Sequence, residues 1–96
     1  MIEVRFRGCS LEADGHAGSA PAGEDLVCAA FSMLMYTLRA NLEDVRPPGL
    51  EISMEPGRVR MRCSYNTKAR AAMEFTRRGV EILARAYPGC VAIACL

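Results

Sequence analysis

The sequence has one histidine, no tryptophan and no pair of cysteines spaced Cys-x-x-Cys. Without such a pair, and with an odd count of five cysteines at positions 9, 28, 63, 90 and 95, neither a structural zinc site nor a disulfide framework is expected. Free thiols point instead to a reducing compartment, so the expected location is cytoplasmic. There is no apolar run long enough to cross a bilayer and no signal-peptide pattern, so no membrane partner is expected. Net charge is also nearly absent. Twelve basic residues against eleven acidic ones leave +1, too little field to steer a polyanion, and direct nucleic-acid binding is not expected.

What is present suffices for one core. Ninety-six residues, 51% of them hydrophobic, fit a single domain over 1–96. Ile2, Val4 and Phe6 alternate with Glu3, Arg5 and Arg7, the pattern of a half-buried strand. A short second strand is expected to end near Asp14. The stretch from Gly15 to Gly23 is too rich in glycine to be regular and reads as a loop. A strongly apolar helix is expected over Asp25–Asp44, stopped by Arg46-Pro47-Pro48-Gly49. Leu50, Ile52 and Met54, then Val59, Met61 and Cys63, alternate with polar residues around Glu55-Pro56-Gly57, which predicts a hairpin. Glu and Arg on its wet face are placed to pair across the strands. A second helix is expected over Thr67–Tyr87, closed by Pro88-Gly89. The apolar tail from Cys90 to Leu96 predicts an inner strand or one covered by a partner. The order is ββαββαβ, an α+β fold with a mostly antiparallel sheet packed against two helices.

Chemistry gathers around Cys28. It stands in or beside the first turn of the apolar helix, where backbone N–H groups and the helix dipole favour a thiolate. The only histidine, His16, lies in the glycine-rich segment just before it. Imidazole can take the thiol proton and later return it to a leaving amine. Gly15, Gly18 and Gly23 let the segment bend back over the thiol, and the N–H groups of Gly15, Gly18 and Cys28 are candidate oxyanion donors. Taken alone, the same residues also fit packing for Cys28, a surface or capping role for His16 and an N-cap for Asp25.

Gly15-His16-Ala17-Gly18, followed by Gly23-Glu24-Asp25-Leu26-Val27-Cys28-Ala29-Ala30 with Ser32 one turn on, resembles the motif of the ribosomal-processing cysteine protease family, Prp. The twelve-residue step from His16 to Cys28 matches that family's interval, and the element order agrees over nearly the whole chain. The resemblance implies Cys28 as nucleophile and His16 as base and acid, with Asp25 and Ser32 near the site. It implies a homodimer that removes the N-terminal extension of the precursor of large-subunit ribosomal protein bL27. Two features depart from the family pattern. Ser19-Ala20-Pro21-Ala22 is small where bulky aromatics are common, and Phe31 replaces a small β-branched residue.

The expected mechanism is a cysteine endopeptidase with a Cys-His dyad and an acyl-enzyme, without metal or organic cofactor. Leu26, Phe31 or residues of a second subunit are expected to form part of a pocket for an apolar substrate side chain, and the loop 15–23 to close over the peptide. Asp14 and Asp25 are the sequence-near candidates to orient His16. The alternatives are a non-enzymatic module that binds a ribosomal protein or assembly intermediate, and a redox-active thiol. A second exposed cysteine beside Cys28 would favour the last.

Overall fold

The structure is a computed structural model that describes residues 1–18 and 25–96. Its elements are β1 (Ile2–Arg7), β2 (Ser10–Asp14), α1 (Leu26–Val45), β3 (Glu51–Glu55), β4 (Arg58–Arg62), α2 (Thr67–Ala86) and β5 (Val91–Cys95). The strands form one sheet in the order β3-β4-β2-β1-β5. Three pairings are antiparallel and β1 with β5 is parallel, so the α+β fold and the ββαββαβ order are as expected.

Strand alternation sorts the sheet into two faces. Ile2, Val4, Phe6, Leu11, Ala13 and Met61 are buried on one of them. Onto it α1 lays Val27, Phe31, Met35, Leu38 and Leu42, and α2 lays Ala69, Met73, Thr76, Val80 and Leu83. The apolar ones among these side chains join in one hydrophobic cluster, to which each fully buried Leu or Met contributes about 1.5–3 kcal/mol. Thr76, a buried polar side chain on α2, donates its hydroxyl to the Ala72 carbonyl at 2.9 Å. Among the described residues no helix is long and apolar enough to cross a membrane.

Helix ends follow their capping chemistry. Asp25 is the N-cap of α1 and Asn66 that of α2, each side chain accepting two of the N–H groups a helix start leaves unpaired. Asp25 therefore precedes the first helical residue rather than being it. At the other end Arg46 takes a left-handed conformation (φ 52°), and its N–H donates to the Leu42 carbonyl before Pro47 prevents continuation.

The tail differs from one of its two expected placements. β5 is not an inner strand: it pairs only with β1 and forms a sheet edge, leaving Ala92, Ala94 and Cys95 exposed. An unbroken apolar run fits this edge because its outward residues are small.

The other sheet face carries the charges. Glu51 and Arg62 are directly opposite on β3 and β4 and pair at 2.9 Å. Arg60 reaches Glu12 at 2.9 Å, and Arg5 donates to Asp14, which Arg58 also approaches. The hydrogen bond from Arg5 is the largest influence holding the Asp14 carboxyl below its ordinary range; it outweighs desolvation, and the positive charges of Arg5, Arg60 and Arg58 add to it. A carboxyl that binds its proton more weakly folded than unfolded contributes stability fully above its unfolded pKa. That contribution drains as the pH falls through the lower folded-state value. Urea midpoints are thus expected to fall more steeply on acidification for the wild type than for Asp14→Asn. Parallel curves would remove Asp14 as a source of acid sensitivity.

Candidate active site

The site is built where β2 leaves the sheet. Gly15 turns the chain with φ +104°, and a Cβ there would fall 2.2 Å from the Met1 carbonyl oxygen, so only glycine lets the backbone pass. The Gly15 N–H donates to the Gly57 carbonyl at 2.9 Å, which ties the strand exit to the β3–β4 turn. Two residues on, Ala17 is buried in the core cluster. That anchor leaves its N–H directed at the Cys28 sulfur, 3.3 Å away.

Cys28 is the third residue of α1 and is half-buried. Asp25 Oδ1 accepts from the N–H groups of Val27 and Cys28 at 3.0 and 3.1 Å, so the cap itself fixes the turn that presents the thiol. Ser32 and Tyr36 follow Cys28 at steps of four and line the same cleft, with Phe31 and Met35 beside them. The facing wall is the end of the β3–β4 hairpin, with Met54, Pro56, Gly57 and Arg58. Between the walls lies a cleft of about 320 Å³ that both Cys28 and His16 line. His16 is exposed, and its ring rests against Gly57, where a Cβ would come 2.8 Å from Nε2.

Several expected site residues stand elsewhere. Leu26 does not line the cleft and is 76% exposed. Two residues of helix turn about 200°, so it points away from the face that carries Cys28. Gly18 is exposed and outside the cleft wall. The N–H groups of Gly15 and Cys28 already have acceptors, Gly57 and Asp25. Asp14 points with Glu12 to the charged sheet face and is engaged by arginines. The small-residue stretch Ser19-Ala20-Pro21-Ala22, Gly23, and hence most of the loop expected to close, lie outside the described residues.

Tyr36, Met54 and Gly57 are among the cleft residues that the sequence does not single out, and Ala17, whose N–H meets the Cys28 sulfur from the core side, is another such residue of the site. Ala17 left no signal beyond its place beside His16. Tyr36 continues the i, i+4 series from Cys28. Met54 and Gly57 read only as parts of a hairpin.

The cleft contains no second cysteine among the described residues. All five are free. Cys9 is buried, and burial, followed by the nearby Cys9 thiol, pushes the Cys63 thiol above its ordinary pKa. Cys95 is exposed at the sheet edge rather than packed. No three His, Cys, Asp or Glu side chains among the described residues gather as metal ligands.

A family model described as cysteine protease Prp matches residues 1–92. The chain belongs to the Prp cysteine protease family. It is accordingly a cysteine peptidase, which decides against the non-enzymatic binding module. The Prp fold extends over the whole chain. A crystal structure of the ribosomal processing protease Prp from Staphylococcus aureus with a covalently linked product peptide superimposes with a TM-score of 0.91 at 18% identity, covering 100% of both chains. The same S. aureus protease with a substrate peptide gives 0.83 at 17% identity, again over 100% of both chains. A protein from Streptococcus mutans gives 0.80 at 29% identity, covering 100% of this chain and 94% of that one. No match was found among curated protein sequences.

Proposed function

We propose that this Prp-family peptidase removes the N-terminal extension of the bL27 precursor in the cytoplasm through a Cys28–His16 dyad. The observation that carries the reading is one cleft lined by the thiol and by the only imidazole, with the Ala17 N–H donating to the sulfur at 3.3 Å. The S. aureus relative, a ribosomal processing protease that takes a peptide substrate, gives the substrate class.

An extended peptide lies between α1 and the β3–β4 hairpin, with an apolar side chain against Phe31, Met35 and Met54. His16 takes the Cys28 proton as the sulfur attacks the scissile carbonyl, and the carbon–nitrogen bond breaks as that proton passes to the departing amine. Water, deprotonated by His16, then opens the thioester and frees both acid and thiol. Because Gly15 and Cys28 have given their N–H groups elsewhere and Gly18 lies outside the cleft wall, the Ser32 hydroxyl, which lines the cleft, is the candidate to hold the oxyanion. Asp25 acts through the helix start it caps.

The test is intact-mass analysis of the organism's own bL27 precursor after incubation with the purified chain. One defined cut is expected, with the N-terminal fragment carried transiently as a thioester on Cys28. A precursor that survives intact would overturn the substrate assignment.

The homodimer belongs to the same proposal. Met33 on α1 and Phe75 on α2 are 64% and 84% exposed and border one apolar groove, a face that a second copy would cover. The double variant Met33→Glu, Phe75→Glu is expected to sediment as a folded monomer where the wild type sediments as a dimer. A variant that remains dimeric would move the interface elsewhere.

A further inference from the structure

We infer that Gly57, at the tip of the β3–β4 hairpin, is a positioning residue for His16, acting through the absence of its own side chain. The inference rests on the reading that His16 serves Cys28. Two contacts join the turn to the histidine segment. The Gly57 carbonyl accepts the Gly15 N–H at 2.9 Å, which holds the residue before His16. The imidazole also occupies the space that a side chain at 57 would fill: an L-Cβ would lie 2.8 Å from Nε2, 3.4 Å from Cε1 and 3.6 Å from Cδ2. The nearest of these separations is shorter than ordinary van der Waals contact, so any Cβ there displaces the ring at its Nε2 edge. The ring is exposed, and the atom a Cβ would meet is the far end of a side chain rather than backbone. The cost of a side chain at 57 therefore falls on where the base sits more than on whether the protein folds.

The register explains why this turn is the one that meets His16. β4 pairs with β2, and Arg58 lies opposite Asp14. The turn at Pro56-Gly57 therefore stands at the end of β2, where the chain departs through Gly15 to His16. Gly57 also has φ +75°, which gives it a separate, backbone reason to be glycine. An effect of substitution must be assigned between the two causes.

Gly57→Asn separates them, because asparagine tolerates a left-handed backbone but carries a Cβ. The experiment measures peptide cleavage and the rate of Cys28 alkylation at neutral pH for the wild type, Gly57→Asn, His16→Ala and the double variant. Gly57→Asn is expected to lower kcat/KM by on the order of tenfold to a hundredfold, the scale of an ångström's misplacement of a reacting group, and to slow alkylation. In the His16→Ala background it is expected to change alkylation by no more than about twofold, because no ring is left to displace. Equal losses in both backgrounds, or near wild-type cleavage by folded Gly57→Asn, would overturn the inference and leave the dyad intact. Wild-type cleavage and alkylation by His16→Ala would instead overturn the dyad, and Gly57 would have nothing to position. If Gly57→Asn does not fold, the wild type answers by NMR. Cross-peaks between the His16 ring protons and the Gly57 Hα protons support the inference, and their absence overturns it.

Discussion

With Cys28→Ala, cleavage of the precursor is expected to fall to the uncatalysed rate, and with His16→Ala the rate of acylation is expected to drop by roughly 10²- to 10⁴-fold. The two losses differ because the proposed roles of the two residues differ. Without the sulfur no covalent intermediate forms, whereas without the imidazole the thiol remains but must ionise unaided and the amine must leave without a positioned acid. Neither substitution removes a core residue. Cys28 is half-buried and its sulfur accepts one N–H, and His16 is exposed against a turn. Urea midpoints are expected to stay close to the wild type, which makes the kinetic loss interpretable. The apolar walls of the cleft come from Phe31, Met35 and Met54, so for His16→Ala the loss is expected mainly in kcat, with KM little changed. A folded His16→Ala protein that acylates at near the wild-type rate would sink the dyad.

Element order was legible because each element announces itself locally. Ile2, Val4 and Phe6 show the period of a strand, Val27, Phe31, Met35, Leu38 and Leu42 that of a helix face, and Asp25 and Asn66 are residues whose side chains suit a helix start. The pairing of Cys28 with His16 in one cleft was legible for the same reason, since both fall at the boundaries of one short connection. What escaped depended on pairing order. The apolar tail reads as buried until its parallel pairing with β1 places it at an edge. Likewise the hairpin turn reads as a mere connection until β4 is known to lie beside β2, which brings Gly57 to the histidine. Leu26 escapes by helical phase, because an apolar residue two before Cys28 in sequence sits on the far side of the helix. The sequence marks the Cys28 N–H as an oxyanion donor, but a cap uses the very N–H groups it organises, and here Asp25 takes that of Cys28.

Gly15→Ala is expected to destabilise the protein by roughly 3 kcal/mol, the sum of a left-handed backbone penalty and an overpacking cost, and to abolish cleavage in whatever fraction stays folded. The backbone part follows from φ +104°, a region that a Cβ disfavours. The packing part is less negotiable. The new methyl would sit 2.2 Å from the Met1 carbonyl oxygen and 3.2 Å from its carbon, and these are backbone atoms held by β1. Ile2, the next residue, is buried and donates its N–H to the Cys90 carbonyl at 2.8 Å, so Met1 cannot withdraw without straining the pairing of β1 with β5. The alternative is for residue 15 to move, which breaks its 2.9 Å hydrogen bond to Gly57 and carries His16 and the Ala17 N–H away from the cleft. Thermal melting with parallel single-turnover cleavage separates the two effects. A melting temperature lower by several degrees, with activity lost even well below the melt, is the expected pair. An alanine at 15 that leaves both melting and cleavage near the wild type would show that the strand exit has slack, and that His16 is held in place by something other than this turn.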